Sequence, residues 1–138
     1  MRIVIIGGPG FGKTTLAAEL GGPQMHTDDL IGRFEWSEVS AHVAEVWLAE
    51  PGPWVLEGVA VPRALRKWLV SNPSGCPCDR AIVLSGPWVQ LTGRQAGMAK
   101  GVAKVWGEIV GELQRRGVEV EVETRPAPGA GVGRPSVA

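Results

Sequence analysis

Nine residues near the N-terminus, Gly7-Gly8-Pro9-Gly10-Phe11-Gly12-Lys13-Thr14-Thr15, constrain this chain more than any others. They fit the pattern G-x-x-x-x-G-K-[ST]. An apolar run, Ile3-Val4-Ile5-Ile6, comes before them, and Leu16-Ala17-Ala18-Glu19-Leu20 follows with helical composition. A strand that feeds a glycine loop, which in turn opens a helix, is the context this motif needs. Glycines let successive backbone N–H groups turn inward on an anion. The helix N-terminus adds its partial positive charge. The expectation is a phosphate cradle made of Gly8, Pro9, Gly10, Phe11, Gly12, Lys13, Thr14 and Thr15. Lys13 reaches the β- and γ-phosphates of a nucleotide, and the Thr14 hydroxyl faces Mg²⁺.

The rest of the chain alternates strand and helix signals. Gly21-Gly22-Pro23 stops the first helix. Gln24-Met25-His26-Thr27 reads as a short strand ending in Asp28-Asp29. Ser37 to about Ala49 reads as a helix with Ser37 as its N-cap, and Val39, Val43, Val46 and Trp47 form one apolar face. Trp54-Val55-Leu56 is a buried strand ending in Glu57-Gly58. Pro62 suits the first turn of a helix whose buried side is Leu65, Trp68 and Leu69. Ala81-Ile82-Val83-Leu84 is a fourth strand. A long helix is expected from roughly Trp88 to Arg116, apolar along Met98, Val102, Val105, Trp106, Ile109 and Leu113, with glycines and Lys100 and Lys104 opposite. Val118 to Val122 alternates as an edge strand with one wet face. The domain therefore spans residues 1–123, and residues 124–138 form a Gly/Pro-rich tail.

This alternation predicts an α/β fold of three layers, a P-loop NTPase fold with a five-stranded parallel sheet and helices on both faces. Ligands collect at the carboxyl ends of such strands. The glycine loop, Asp28-Asp29, Glu57-Gly58 and the start of the last helix all fall on that rim. Lys+Arg and Asp+Glu both number 14, so a broad basic face is not expected. No apolar run approaches the length of a membrane span, and the short N-terminal run ends at once in the glycine loop; a cytoplasmic protein without membrane contact is expected. Cys76 and Cys78 are spaced C-x-C with no second pair, which reads as two loop thiols rather than a zinc site.

A nucleotide grip does not name a reaction. No Asn-Lys-x-Asp base-reading element for guanine follows a strand, and Leu84-Ser85-Gly86-Pro87 is only a fragment of a transporter-ATPase signature. On its glycine motif, its length and the acids at its strand ends, the chain resembles the small P-loop kinases: nucleoside and nucleotide kinases, with shikimate and gluconate kinases as relatives. The resemblance covers most of residues 1–122 and is specific at the glycine motif. It implies ATP and Mg²⁺ as cofactors and transfer to a hydroxyl of a small-molecule, nucleoside- or nucleotide-like acceptor. Within it, Asp28 is expected to orient the hydroxyl, take its proton or bind Mg²⁺ through water. Asp29 and Arg63 are expected on the acceptor, Arg63 gripping an anionic group, and Glu57 is expected as an acceptor-binding acid or a Walker B-like acid at the end of its strand. Arg94 is expected to close on the transferring phosphoryl group, where charge spreads over the equatorial oxygens. At the lid position Arg94 has no second arginine in an R-x-x-R pair. Trp36 and Trp88 flank the rim, and each is a candidate for stacking on an acceptor base. The chain also looks like compact phage P-loop kinases, some associated with hydroxymethylated pyrimidines, which makes DNA a further candidate substrate. The competing expectation is an NTP-binding regulatory module without transfer activity.

Overall fold

A computed structural model describes residues 1–86 and 90–124. Trp88 and residues 125–138 of the tail lie outside the described residues. In chain order the elements are β1 (Arg2–Ile6), α1 (Lys13–Leu20), β2 (Gln24–His26), α2 (Trp36–His42), β3 (Trp54–Glu57), α3 (Val61–Ser71), β4 (Arg80–Ser85), α4 (Gly93–Arg115) and β5 (Glu119–Thr124). The five strands form one sheet in the order β2-β3-β1-β4-β5, and every pairing is parallel.

Strand alternation divides the core into two sheets of side chains. Ile5, Val55, Ile82 and Leu84 point to one face and pack with Leu16 and Ala17 of α1. Val4, Ile6, Leu56 and Ala81 point to the other, where they meet Val39, Ala64, Leu65, Val102, Ile109 and Leu113 of α2, α3 and α4. One short helix thus covers one face and three cover the other. Inner strands buried on both faces explain their unbroken apolar runs. At the edge, the expected alternation holds only at the start of β5: Val118 is buried and Val120 half-buried, but Val122 is exposed while Glu121 and Glu123 are half-buried.

β1 is central. The chain leaves it toward β2 on one side, while β4 beside it continues to β5 on the other. Diverging connections open a crevice at the carboxyl ends of β1 and β4. The glycine loop sits there, and its Phe11 packs against Gly86 at the end of β4: a Cβ on Gly86 would lie 2.9 Å from the Phe11 ring.

Three local expectations are corrected. The cap of α2 is Glu35, not Ser37; the Glu35 N–H donates to Glu38 Oε1 at 2.8 Å. The reciprocal partner three residues on is a Glu for Glu35 but a Ser for Ser37, and only the carboxylate reaches back. The α-helical part of that segment ends at His42 and continues as a π-helical turn over Val43–Trp47, closed by Leu48 N donating to Val43 O at 2.9 Å. The long helix begins at Gly93 rather than near residue 88. Thr92 Oγ1 accepts from Gln95 N at 3.2 Å and Thr92 N donates to Gln95 Oε1 at 3.0 Å, a capping box that fixes the start. Of the tryptophans expected in the core, Trp54 is fully buried with its indole N–H on Glu50 O, while Trp47, Trp68 and Trp106 pack half-buried at its margin.

Candidate functional site

The loop between β1 and α1 is shaped by two left-handed glycines, Gly10 at φ 75° and Gly12 at φ 87°. A side chain at either position would be strained. Gly12 caps α1, and Leu16 N closes the first helical bond on its carbonyl at 3.1 Å. Gly8 is glycine for a different reason. A Cβ there would sit 2.7 Å from Ala99 Cβ, so α4 lies directly against the loop. Lys13 is buried and donates from Nζ to Gly8 O at 2.8 Å. Burial pushes its ammonium below the ordinary lysine value, and the charges of Glu57 and Asp28 oppose that shift.

Those two acids share a cleft with the loop. It has a volume of about 740 Å³ and is lined by Pro9, Gly10, Gly12, Lys13, Thr14, Thr15, Asp28 and Glu57, with Ile31, Trp36, Val59, Arg94, Gln95 and Met98 completing the walls. Asp28 enters it from a 3₁₀ turn, Thr27–Leu30, that directly follows β2. Arg94 enters from the first turn of α4. Asp29 is exposed and absent from the lining, so the turn delivers one of its two acids to the cleft. Arg63 does not line it either. It lines a second cavity of about 620 Å³ that shares Trp36, Val59, Arg94 and Met98 with the first. Lys100 and Lys104 are exposed and line neither.

Glu57 is held by two polar neighbours. It is 3% exposed at the end of β3, where Thr14 Oγ1 donates to its Oε2 at 3.4 Å and His26 Nδ1 lies 2.6 Å from the same oxygen. It therefore stands beside the hydroxyl expected to face the metal. His26 was not singled out by sequence. Its signal is positional: it is the last residue of β2 and pairs in register with Glu57. A polar residue ending one strand, opposite another on its neighbour, can be found only once strand order is known. Gly58 then turns at φ 142°, with the Thr27 side chain in the space a Cβ would need.

The donor set can be tested for Mg²⁺. Among the described residues, no group of three or more His, Cys, Asp or Glu is gathered to hold a metal alone. Mg²⁺ bound with a nucleotide takes only one or two protein oxygens and completes its shell from phosphates and water. Thr14 Oγ1 with the Glu57 or Asp28 carboxylate fits that demand. The cleft thus gathers a glycine-rich loop, a buried ammonium, the Thr14 hydroxyl beside a buried carboxylate, a second carboxylate on a turn and a guanidinium. No protein-family model matches the chain, and no curated protein or solved structure matches it significantly.

Proposed function

We propose that this chain has a P-loop NTPase fold and is an ATP- and Mg²⁺-dependent kinase that transfers the γ-phosphoryl group to a hydroxyl of a nucleoside- or nucleotide-like acceptor. A 5-hydroxymethylpyrimidine in DNA is included in that class. The observation that carries the reading is the convergence of Lys13, Thr14, Asp28, Glu57 and Arg94 on one cleft. A module that only senses nucleotide needs the loop and the metal oxygen; it has less need of Asp28 and Arg94.

Each group has a role in this reading. Backbone N–H groups of the loop and the α1 N-terminus hold the phosphates. Lys13 swings from the Gly8 carbonyl to the β- and γ-phosphates. Mg²⁺, when bound, neutralises phosphate charge; Thr14 and Glu57 would hold it, with Asp28 in reach through water. Asp28 accepts the proton of the acceptor hydroxyl as that oxygen bonds to the γ-phosphorus and the bond to the leaving ADP oxygen breaks. Arg94 faces the equatorial oxygens, where charge spreads during transfer.

The test is incubation with γ-labelled ATP, Mg²⁺ and a panel of nucleosides, nucleotides and hydroxymethylated DNA. Label on an acceptor, lost in Asp28→Asn by about a hundredfold, is expected. ATP binding without transfer to any acceptor would leave the regulatory module as the better description.

A further inference from the structure

The second cavity has an apolar floor, Val59, Met98 and Val102, and a cationic rim, Arg63, Arg66, Lys67 and Arg94. No acidic residue lines it. In a chain with 14 cationic and 14 acidic side chains, four cations and no acid around one space is a local imbalance, although one of the four is paired outside it. Arg66 is held by Glu108 at 2.7 Å, and Lys67 Nζ donates to Ser37 O at 3.4 Å. Arg63 and Arg94 have no carboxylate partner among the described residues. Like charges held together in a cleft repel one another and focus a field that an anion relieves.

Two further walls define the shape of the guest. Trp36, 46% exposed, stands in both cavities and offers an indole face to a flat ring. On the α4 side, Gly97 and Gly101 present bare helix backbone. A Cβ at Gly97 would meet nothing within 4 Å, so no protein neighbour requires glycine there. A glycine inside a helix lowers its stability relative to alanine, and here it widens the cavity.

We propose that this cavity seats the acceptor through a nucleoside monophosphate unit, with the phosphate on Arg63, Arg66 and Lys67 and the ring on Trp36 beside Gly97. The phosphate is an anchor, not the group that is phosphorylated. None of Arg63, Arg66 and Lys67 lines the cleft of Lys13, so a phosphate on them is held apart from it. The walls common to both spaces, Trp36, Val59, Arg94 and Met98, are where a hydroxyl of the same molecule enters the transfer site. The chemistry of transfer rests on the kinase reading; the binding does not.

Binding is measured on the full chain without ATP, by calorimetric titration with the four deoxynucleoside 5′-monophosphates, the matching nucleosides and inorganic phosphate. A short single-stranded oligodeoxynucleotide forms a parallel arm. The monophosphates are expected to bind at least about tenfold tighter than the nucleosides and than phosphate alone. Arg63→Gln removes most of that advantage. Gly97→Leu weakens monophosphate binding by about tenfold without lowering the melting temperature, since leucine is the better helix former. Preference for the oligonucleotide would identify the unit as part of a strand, and preference for the monophosphates as a free nucleotide; binding of neither overturns the proposal. So does equal affinity for nucleosides, or an undiminished preference in Arg63→Gln. Monophosphate binding with no transfer from ATP keeps this cavity and removes the kinase. Transfer to an acceptor with no phosphate keeps the kinase and removes this cavity.

Discussion

The two walls of the candidate site are made in different ways. The phosphate wall is backbone: residues 7–15 in one run, with Gly10 and Gly12 in left-handed conformations and carbonyl and N–H groups as the working atoms. The second wall is made mostly of side chains from α2, α3 and α4, spaced from Trp36 to Val102 along the chain, with bare backbone only at Gly97 and Gly101. A backbone site is specified by a short motif because conformation alone places its atoms. A side-chain site is specified by packing, so its members have no fixed spacing, and single substitutions can change it without disturbing the fold.

Substitutions should respect that difference. The largest effect is expected from Lys13→Ala, which removes the cation that every phosphate geometry here needs. Transfer should fall by at least about a hundredfold in a steady-state assay. Circular dichroism should be unchanged, because the strands and helices are held by their own backbone bonds and apolar packing rather than by that ammonium. His26→Ala should come next. It leaves the buried Glu57 carboxylate with one partner fewer, a loss of about 1–3 kcal/mol in denaturant unfolding. No change in unfolding midpoint would mean that the His26–Glu57 contact carries no weight.

Glycines separate the walls more sharply. Gly8→Ala puts a Cβ into the α4 backbone and Ala99, so it should destabilise by about 1–3 kcal/mol. Gly97→Ala meets open space and should stabilise by about 0.5–1 kcal/mol. Equal signs for the two would erase the distinction between a backbone wall and a side-chain wall. The smallest effect lies outside both. Asp79 accepts from Arg2 N at 2.7 Å, and the Arg2 guanidinium holds its carboxyl below the ordinary aspartate value. Its contribution is present above the unfolded value of about 3.9 and is lost as pH falls through the lower folded value. The melting-temperature gap between wild type and Asp79→Asn should therefore be present at neutral pH and close in acid.

Much of the fold was legible in the sequence. Apolar runs marked the inner strands, and Gly21-Gly22-Pro23 and Pro62 marked helix boundaries that the structure keeps. The parallel five-stranded sheet followed from alternation alone. Where the reading slipped, a local bond decided: Glu38 reaching back to Glu35, and Gln95 to Thr92. The rim position of Asp28 and Arg94 could be read because both lie just past a strand or at a helix start. The partnership of His26 with Glu57 could not, because it depends on β2 lying beside β3, 31 residues apart. Asp28 and Asp29 are adjacent in sequence, and only the turn of the 3₁₀ segment separates one into the cleft and the other into solvent.

Phosphoryl transfer depends on one event, the seating of a triphosphate on the loop. Equilibrium binding of Mg²⁺-ATP to wild type and to Lys13→Ala measures it directly. Saturable binding by wild type, weakened at least about tenfold in Lys13→Ala, is the predicted result. No binding by a folded wild-type protein, or equal binding by the two, would contradict it.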